Sequence, residues 1–292
     1  MPNESPARIA VITDSVGQVP PEAARRLGIT IMPLTVQIDG KSFLDGVDIA
    51  PAELYRRMRV EGILPTTSAP SIGEYEQVFL SCLRGGARGL LCVTLSSKLS
   101  MAYSAACQAA KMVRDEFPDR RVEVLDSKQA TICQGFITMA AARAVVERKP
   151  WLEVLQAAEE MKRRVGFAVT LQTLEYLARG GRIGRAAFMG GSLLNIKPII
   201  SLDEEGTVVP IGRVQGEKHA LESIVDRVAR QTEGHKSLQL AVMEAGAREQ
   251  AAKLRNLALQ KMQPVEVFDS EFTPVMGVHT GPGLVGLAYC YE

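Results

Sequence analysis

From Arg8 onward, short apolar runs alternate with stretches of helical period. "RIAVIT" (Arg8–Thr13) is a compact apolar run, and "PPEAARRLG" opens on proline and closes on Gly28, which marks a helix. "IMPLTVQI" (Ile31–Ile38) reads as the next strand and stops at the turn "DGKS" (Asp39–Ser42). "PAELYRRM" and "EYEQVFLSCL" turn helical, with Tyr75, Val78, Phe79, Cys82 and Leu83 on one face. "GLLCVTL" (Gly89–Leu95) and "RVEVLD" (Arg121–Asp126) are further strands, and the helical "AYSAACQAAKMV" lies between them. Strands separated by helices imply a parallel sheet covered by helices.

The helix "WLEVLQAAEEMKRRV" bridges to a second region. There "KPIISL" and "VVPIG" flank the turn "DEEG" and read as a hairpin. A helix over 217–232, the strand "LQLAVM", a helix over 248–262 and the strand "VEVFD" follow. The pattern therefore predicts two α/β domains. Residues 1–164 carry a mostly parallel sheet covered by helices, and residues 165–292 form a smaller domain with a mixed sheet.

Three strands end in small polar groups: "VITDS", "VTLSS" and "EVLDS". If they are parallel, Asp14, Ser15, Ser96, Ser97, Asp126 and Ser127 gather on the sheet edge where open α/β folds bind ligands. Capping of the following helices explains the same residues. For Ser96, Ser97 and Ser100 the readings are a nucleophile with support, an anion cradle, or a helix cap. The G-x-S-x-G elbow that a serine nucleophile uses in such folds is missing. An anion needs only hydroxyls and the orphan N–H groups of a helix start.

A second hydroxyl cluster, "LPTTSAPS", is stiffened by Pro65 and Pro70, with Ser71 placed to cap a helix. "ARGGRIGR" sets Arg179, Arg182 and Arg185 among Gly180, Gly181, Gly184 and the nearby Gly190. Arginine forks there suit carboxylate or phosphate, and a solvated basic loop is the plain alternative. "GVHTGPG" predicts a sharp loop with His279 and Thr280 at its tip. No P-loop occurs, and no G-x-G-x-x-G follows a strand, so neither nucleotide-binding pattern is present.

Charge narrows the partners. The chain has 292 residues and a formal charge of +1, from 34 basic and 33 acidic side chains. No bulk field favours nucleic acid, and any anion needs a local site. The hydrophobic fraction of 46% and charged fraction of 23% fit a globular protein. No apolar run is long enough to span a membrane, and "MPNESPARIAVITDS" lacks a signal-peptide pattern. The five cysteines include no C-x-x-C pair, so reduced thiols in the cytoplasm are expected, and the Asn3-Glu4-Ser5 sequon carries no meaning there. The three histidines lack metal-like neighbours, so no metal is expected.

Taken in order, the motifs resemble the DegV family. They are Thr13-Asp14-Ser15, Thr67-Ser68-Ala69-Pro70, Ser96-Ser97-Lys98-Leu99-Ser100, Asp126-Ser127, Gly180-Gly181-Arg182-Ile183, Leu193-Leu194-Asn195-Ile196-Lys197-Pro198 and His279-Thr280-Gly281-Pro282-Gly283. The resemblance implies a non-catalytic protein that needs no cofactor and binds one long-chain fatty acid between or beneath two α/β domains. It assigns the carboxylate to Thr67, Ser68, Ser96, Ser97 and His279, with Arg182 as a nearby polar partner. Asp14, Ser15, Ser100, Gly180, Gly181, Thr280 and Gly281 would support the loops. It also implies a separate ATP-using fatty acid kinase subunit, to which the carboxylate is presented for acyl-phosphate formation, with transient membrane contact. A sixteen-carbon tail, at about 0.8 kcal/mol per methylene, offers on the order of 10 kcal/mol before ordering costs.

Two positions depart from the family pattern. Met101-Ala102 stands where the family has Gly-Thr, which removes a hydroxyl and adds bulk. Gln215 replaces an arginine in a basic run that would help to dock the kinase subunit. The competing class is an enzyme in its own right, a serine-dependent acyl hydrolase or a small-molecule kinase, with Asp14 and Asp126 as the only hint of a metal-binding pair.

Overall fold

A computed structural model describes residues 8–189 and 196–292. The Asn3-Glu4-Ser5 sequon, Gly190 and Leu193-Leu194-Asn195 lie outside the described residues. The chain runs through β1 (Ile9–Asp14), α1 (Pro21–Leu27) and β2 (Ile29–Met32), then β3 (Thr35–Ile38), β4 (Lys41–Leu44), α2 (Pro51–Val60) and β5 (Thr66–Ser68). Next come α3 (Ile72–Arg84), β6 (Gly89–Thr94), α4 (Ala102–Glu116), β7 (Arg121–Asp126), α5 (Thr131–Val146) and α6 (Trp151–Lys162). After β8 (Val165–Thr170) and α7 (Glu175–Arg179), a 3₁₀ turn (Gly184–Met189) leads to β9 (Ile196–Leu202), β10 (Val208–Gln215) and α8 (Glu217–Gln231). The chain closes with β11 (Gln239–Glu244), α9 (Arg248–Lys261), β12 (Glu266–Glu271), α10 (Pro274–Thr280) and β13 (Val285–Cys290).

These elements group into two compact α/β units. The described residues of Met1–Leu34 and Ala69–Arg163 form the first, and those of Thr35–Ser68 and Arg164–Glu292 form the second. The break after Arg163 falls beside the expected boundary. Residues 35–68, expected in the first domain, group instead with the second. Pro33 marks the departure: it has no N–H to give a ladder, so "IMPLTVQI" is two strands rather than one.

In the first unit the strands run in the order β2-β1-β6-β7, all parallel. Ile12, Leu90, Cys92 and Val122 point into one core with Tyr75, Phe79 and Leu83 of α3 and Ala106, Ala110 and Val113 of α4. On the alternate side of β1 and β6, Gln134 of α5 donates to Thr13 Oγ1 at 3.0 Å. α5 is buried on nearly every side. It therefore lacks the one-sided stripe that marks a helix in sequence, and periodicity did not predict it. Ser71 caps α3 as expected, its Oγ accepting from Glu74 N–H at 3.2 Å while Glu74 Oε2 accepts from Ser71 N–H at 2.7 Å.

The second unit holds a mixed sheet, β10-β9-β8-β13-β11-β12, and a small antiparallel one, β4-β3-β5. Asp39 and Gly40, with φ of 50° and 76°, make the tight turn between β3 and β4. β9 and β10 form the predicted hairpin. α8 and α9 cover the mixed sheet with Leu221, Ile224, Val228, Leu254 and Ala258 against Leu240, Val242 and Leu287. The "GVHTGPG" stretch is not a loop throughout. Pro274 starts α10, His279 sits in its last turn, and Gly281, at φ 71°, ends it.

Candidate functional site

The carboxyl ends of β1, β6 and β7 do share one edge. The sheet order switches between β1 and β6, where open α/β sheets form a crevice. Asp14, 1% exposed, closes that place from within. Its Oδ2 accepts from Leu95 N–H at 2.9 Å and its Oδ1 from Val16 N–H at 3.1 Å. Ser15 Oγ accepts from Leu34 N–H at 3.1 Å, so both residues tie the strand ends together.

The serine turn divides its tasks. Ser96 is buried, and its Oγ accepts from Lys98 N–H at 3.1 Å. Ser97 is exposed, with its N–H donating to Asp126 Oδ1 at 3.3 Å. Ser100 Oγ accepts from Ala102 N–H at 3.2 Å just before α4, but the N-cap is Met101 and makes no side-chain cap bond, so Ser100 braces the helix start without being its cap. All three histidines lie in the second unit, so within their own unit these serines have no imidazole base. Met101 is 70% exposed.

In the second unit Thr67, paired with Val36 of β3, meets the last turn of α10: Thr67 Oγ1 and His279 Nε2 are 2.8 Å apart. Two nearby glycines are set by rings, Gly180 by His279 and Gly281 by Tyr176. A Cβ on Gly180 would lie 2.5 Å from His279 Nδ1, and one on Gly281 would lie 2.2 Å from the Tyr176 ring. Gly181, at φ 70°, turns the chain so that Arg182 Nη1 donates to Gly180 O at 2.5 Å. Thr280 Oγ1 donates to Met276 O at 3.0 Å and closes the helix. Ser68 is exposed beside Thr67.

Of the three arginines in the basic loop, Arg179 pairs with Glu175 at 2.5 Å and Arg185 with Asp203 at 3.3 Å. Arg182 is the one whose charge reaches His279. Burial, then the Arg182 guanidinium, lowers the His279 pKa to about 4, so the ring is neutral near pH 7. His219 bonds through Nδ1 to Gln215 O at 2.9 Å, and His235 stacks on Tyr291 at 3.7 Å between ring centroids. Gln215 is exposed. No cluster of metal ligands occurs among the described residues.

A neutral imidazole has one N–H, and its position decides what Thr67 can do. With the proton on Nε2, the ring donates to Thr67 Oγ1, and the threonine hydrogen is left to donate to an acceptor such as a carboxylate oxygen. With the proton on Nδ1, Thr67 spends its hydrogen on Nε2. Nδ1 is buried against Gly180 without a protein partner among the described residues. A lone pair is easier to leave there than an N–H, which favours the form that turns Thr67 outward as a donor.

A family model described as "Uncharacterised protein, DegV family" matches residues 8–292. The chain belongs to the DegV family. A DegV domain-containing protein of Clostridium acetobutylicum is 33% identical over 284 residues, 97% of this chain and 98% of that protein. Among solved structures, a DegV family protein from Thermus thermophilus, described for its fatty acid binding, has TM-score 0.90 and 34% identity, covering 98% of this chain and 100% of that one. DegV of Bacillus subtilis, described as a fatty acid binding protein, has TM-score 0.86 and 29% identity, with coverage of 98% and 100%. The DegV motifs in this chain thus resolve into strand-end ties in one unit and a threonine–histidine pair in the other. Sequence reasoning passed over Tyr176, whose ring needs Gly281, and over Asp45 and Tyr55. Their partners are far away in the chain, and no local pattern points to them.

Proposed function

We infer that this protein binds one long-chain fatty acid and holds its carboxylate with the Thr67 hydroxyl, oriented by neutral His279, beside the Arg182 guanidinium. The observation that carries this reading is the 2.8 Å contact between Thr67 Oγ1 and His279 Nε2, with the ring held neutral. Ser68 adjoins that pair, and the family resemblance adds Ser96 and Ser97 to the set. Binding of fatty acids by the Thermus thermophilus and Bacillus subtilis relatives supports the ligand class. Short neutral donors fix one carboxylate oxygen and leave the other reachable, which suits presentation to a separate ATP-using subunit that makes acyl phosphate. The five free cysteines fit work in a reducing cytoplasm. No helix among the described residues is long and apolar enough to cross a membrane.

Native mass spectrometry of the purified protein should show an adduct of fatty acid mass. A chain that carries no lipid and takes up neither labelled palmitate nor labelled oleate would overturn the reading. Replacing Ser97 and His279 together should weaken oleate binding without unfolding the protein.

A further inference from the structure

The Thr35–Ser68 segment packs against α10 through α2, β3 and β5, while α7 packs on the same helix from outside the segment. Two buried side chains of the segment bond to the start of that helix. Asp45, 3% exposed, follows β4, and its Oδ1 accepts from Val275 N–H at 2.9 Å. That N–H belongs to the first turn, whose donors the helix itself cannot satisfy, and Thr273 at the N-cap gives no side-chain bond. Tyr55 of α2, 2% exposed, donates its hydroxyl to Phe272 O at 2.8 Å. Its ring fills the space above Gly277, where a Cβ would lie 2.3 Å from it. The far end of the same helix carries His279 to Thr67.

One residue of helix rotation swings a side chain by about 100°. A 2.8 Å contact at the end of α10 therefore depends on how the start of α10 is set. We propose that Asp45 and Tyr55 are positioning residues that fix the rotation and height of α10 so that His279 Nε2 meets Thr67. Its consequence for ligand rests on the carboxylate reading above; the geometric statement does not.

The test reads the His279 ring without ligand, by NMR of histidine-labelled protein, with its signal assigned by loss in His279→Gln. In the wild type this ring stays neutral down to about pH 4. Asp45→Ala and Tyr55→Phe each loosen α10, and the His279 titration moves up toward about 6.5. Asp45→Asn keeps an acceptor oxygen and restores the wild-type curve. Arg182 and Thr67, which face the ring, are untouched in these variants. Gly277→Ala displaces the Tyr55 ring and gives the same shift, which keeps the test open if Asp45→Ala does not fold. A lower Tm with an unmoved His279 titration in the folded variants overturns the proposal. Oleate affinity should fall roughly tenfold in Asp45→Ala and Tyr55→Phe. If His279→Gln leaves oleate affinity unchanged, the carboxylate reading fails while the titration still decides the positioning.

Discussion

His279 and Gly180 work as a pair, because the ring occupies the volume that any larger residue at 180 would take. That enclosure has a measurable price in acid. The folded ring has its pKa lowered to about 4, whereas in the unfolded chain it takes a proton near the ordinary 6.5. Between those values the unfolded state binds the extra proton, so stability falls as pH drops from about 6.5 to 4 and gains no further loss from this group below that. Thermal melts across this range should show the decline, and His279→Gln should flatten it; parallel curves for the two proteins would contradict the burial of the ring. At this scale the sequence was informative where residue type restricts chemistry, as at His279, Thr67 and the paired glycines. It did not separate Arg182 from Arg179 and Arg185, since only the fold shows which of them find Glu175 and Asp203.

Among the elements, α5 was the least legible and is among the most constrained. Its residues Gly135 and Gln134 lie against the turn after β1, and a Cβ on Gly135 would sit 2.3 Å from Gly17 O. Backbone on that side cannot yield as a flexible side chain would. Gly135→Ala should therefore lower stability by about 1–3 kcal/mol, read as a lower urea midpoint at unchanged slope. Amphipathic elements such as α3 and α8 were visible because one face meets water. Helix α5 was not, because burial on all sides removes the contrast that periodicity needs. The α10 stretch failed differently: three glycines and a proline looked like a loop, yet Pro274 begins a short helix and Gly281 ends it.

For the whole molecule, two α/β units were readable from alternating patterns, but the excursion of residues 35–68 was not. A strand carries no mark of which sheet it will join. The second unit should not fold from residues 165–292 alone, because α10 would lose Asp45, Tyr55 and the β3–β5 sheet. Residues 35–68 joined by a linker to 164–292 should give a cooperative melt and dispersed NMR spectrum where 165–292 alone does not. If the shorter fragment folds equally well, the segment is dispensable. The separations also order events during synthesis. Asp45 and Val275 are 230 residues apart, and Thr67 and His279 are 212 apart. At about 5–20 residues per second, the early half of the site leaves the ribosome roughly 10–40 s before its partner exists. A nascent chain therefore cannot form the Thr67–His279 contact until almost its last turn of helix has emerged, and a prematurely terminated chain never forms it at all.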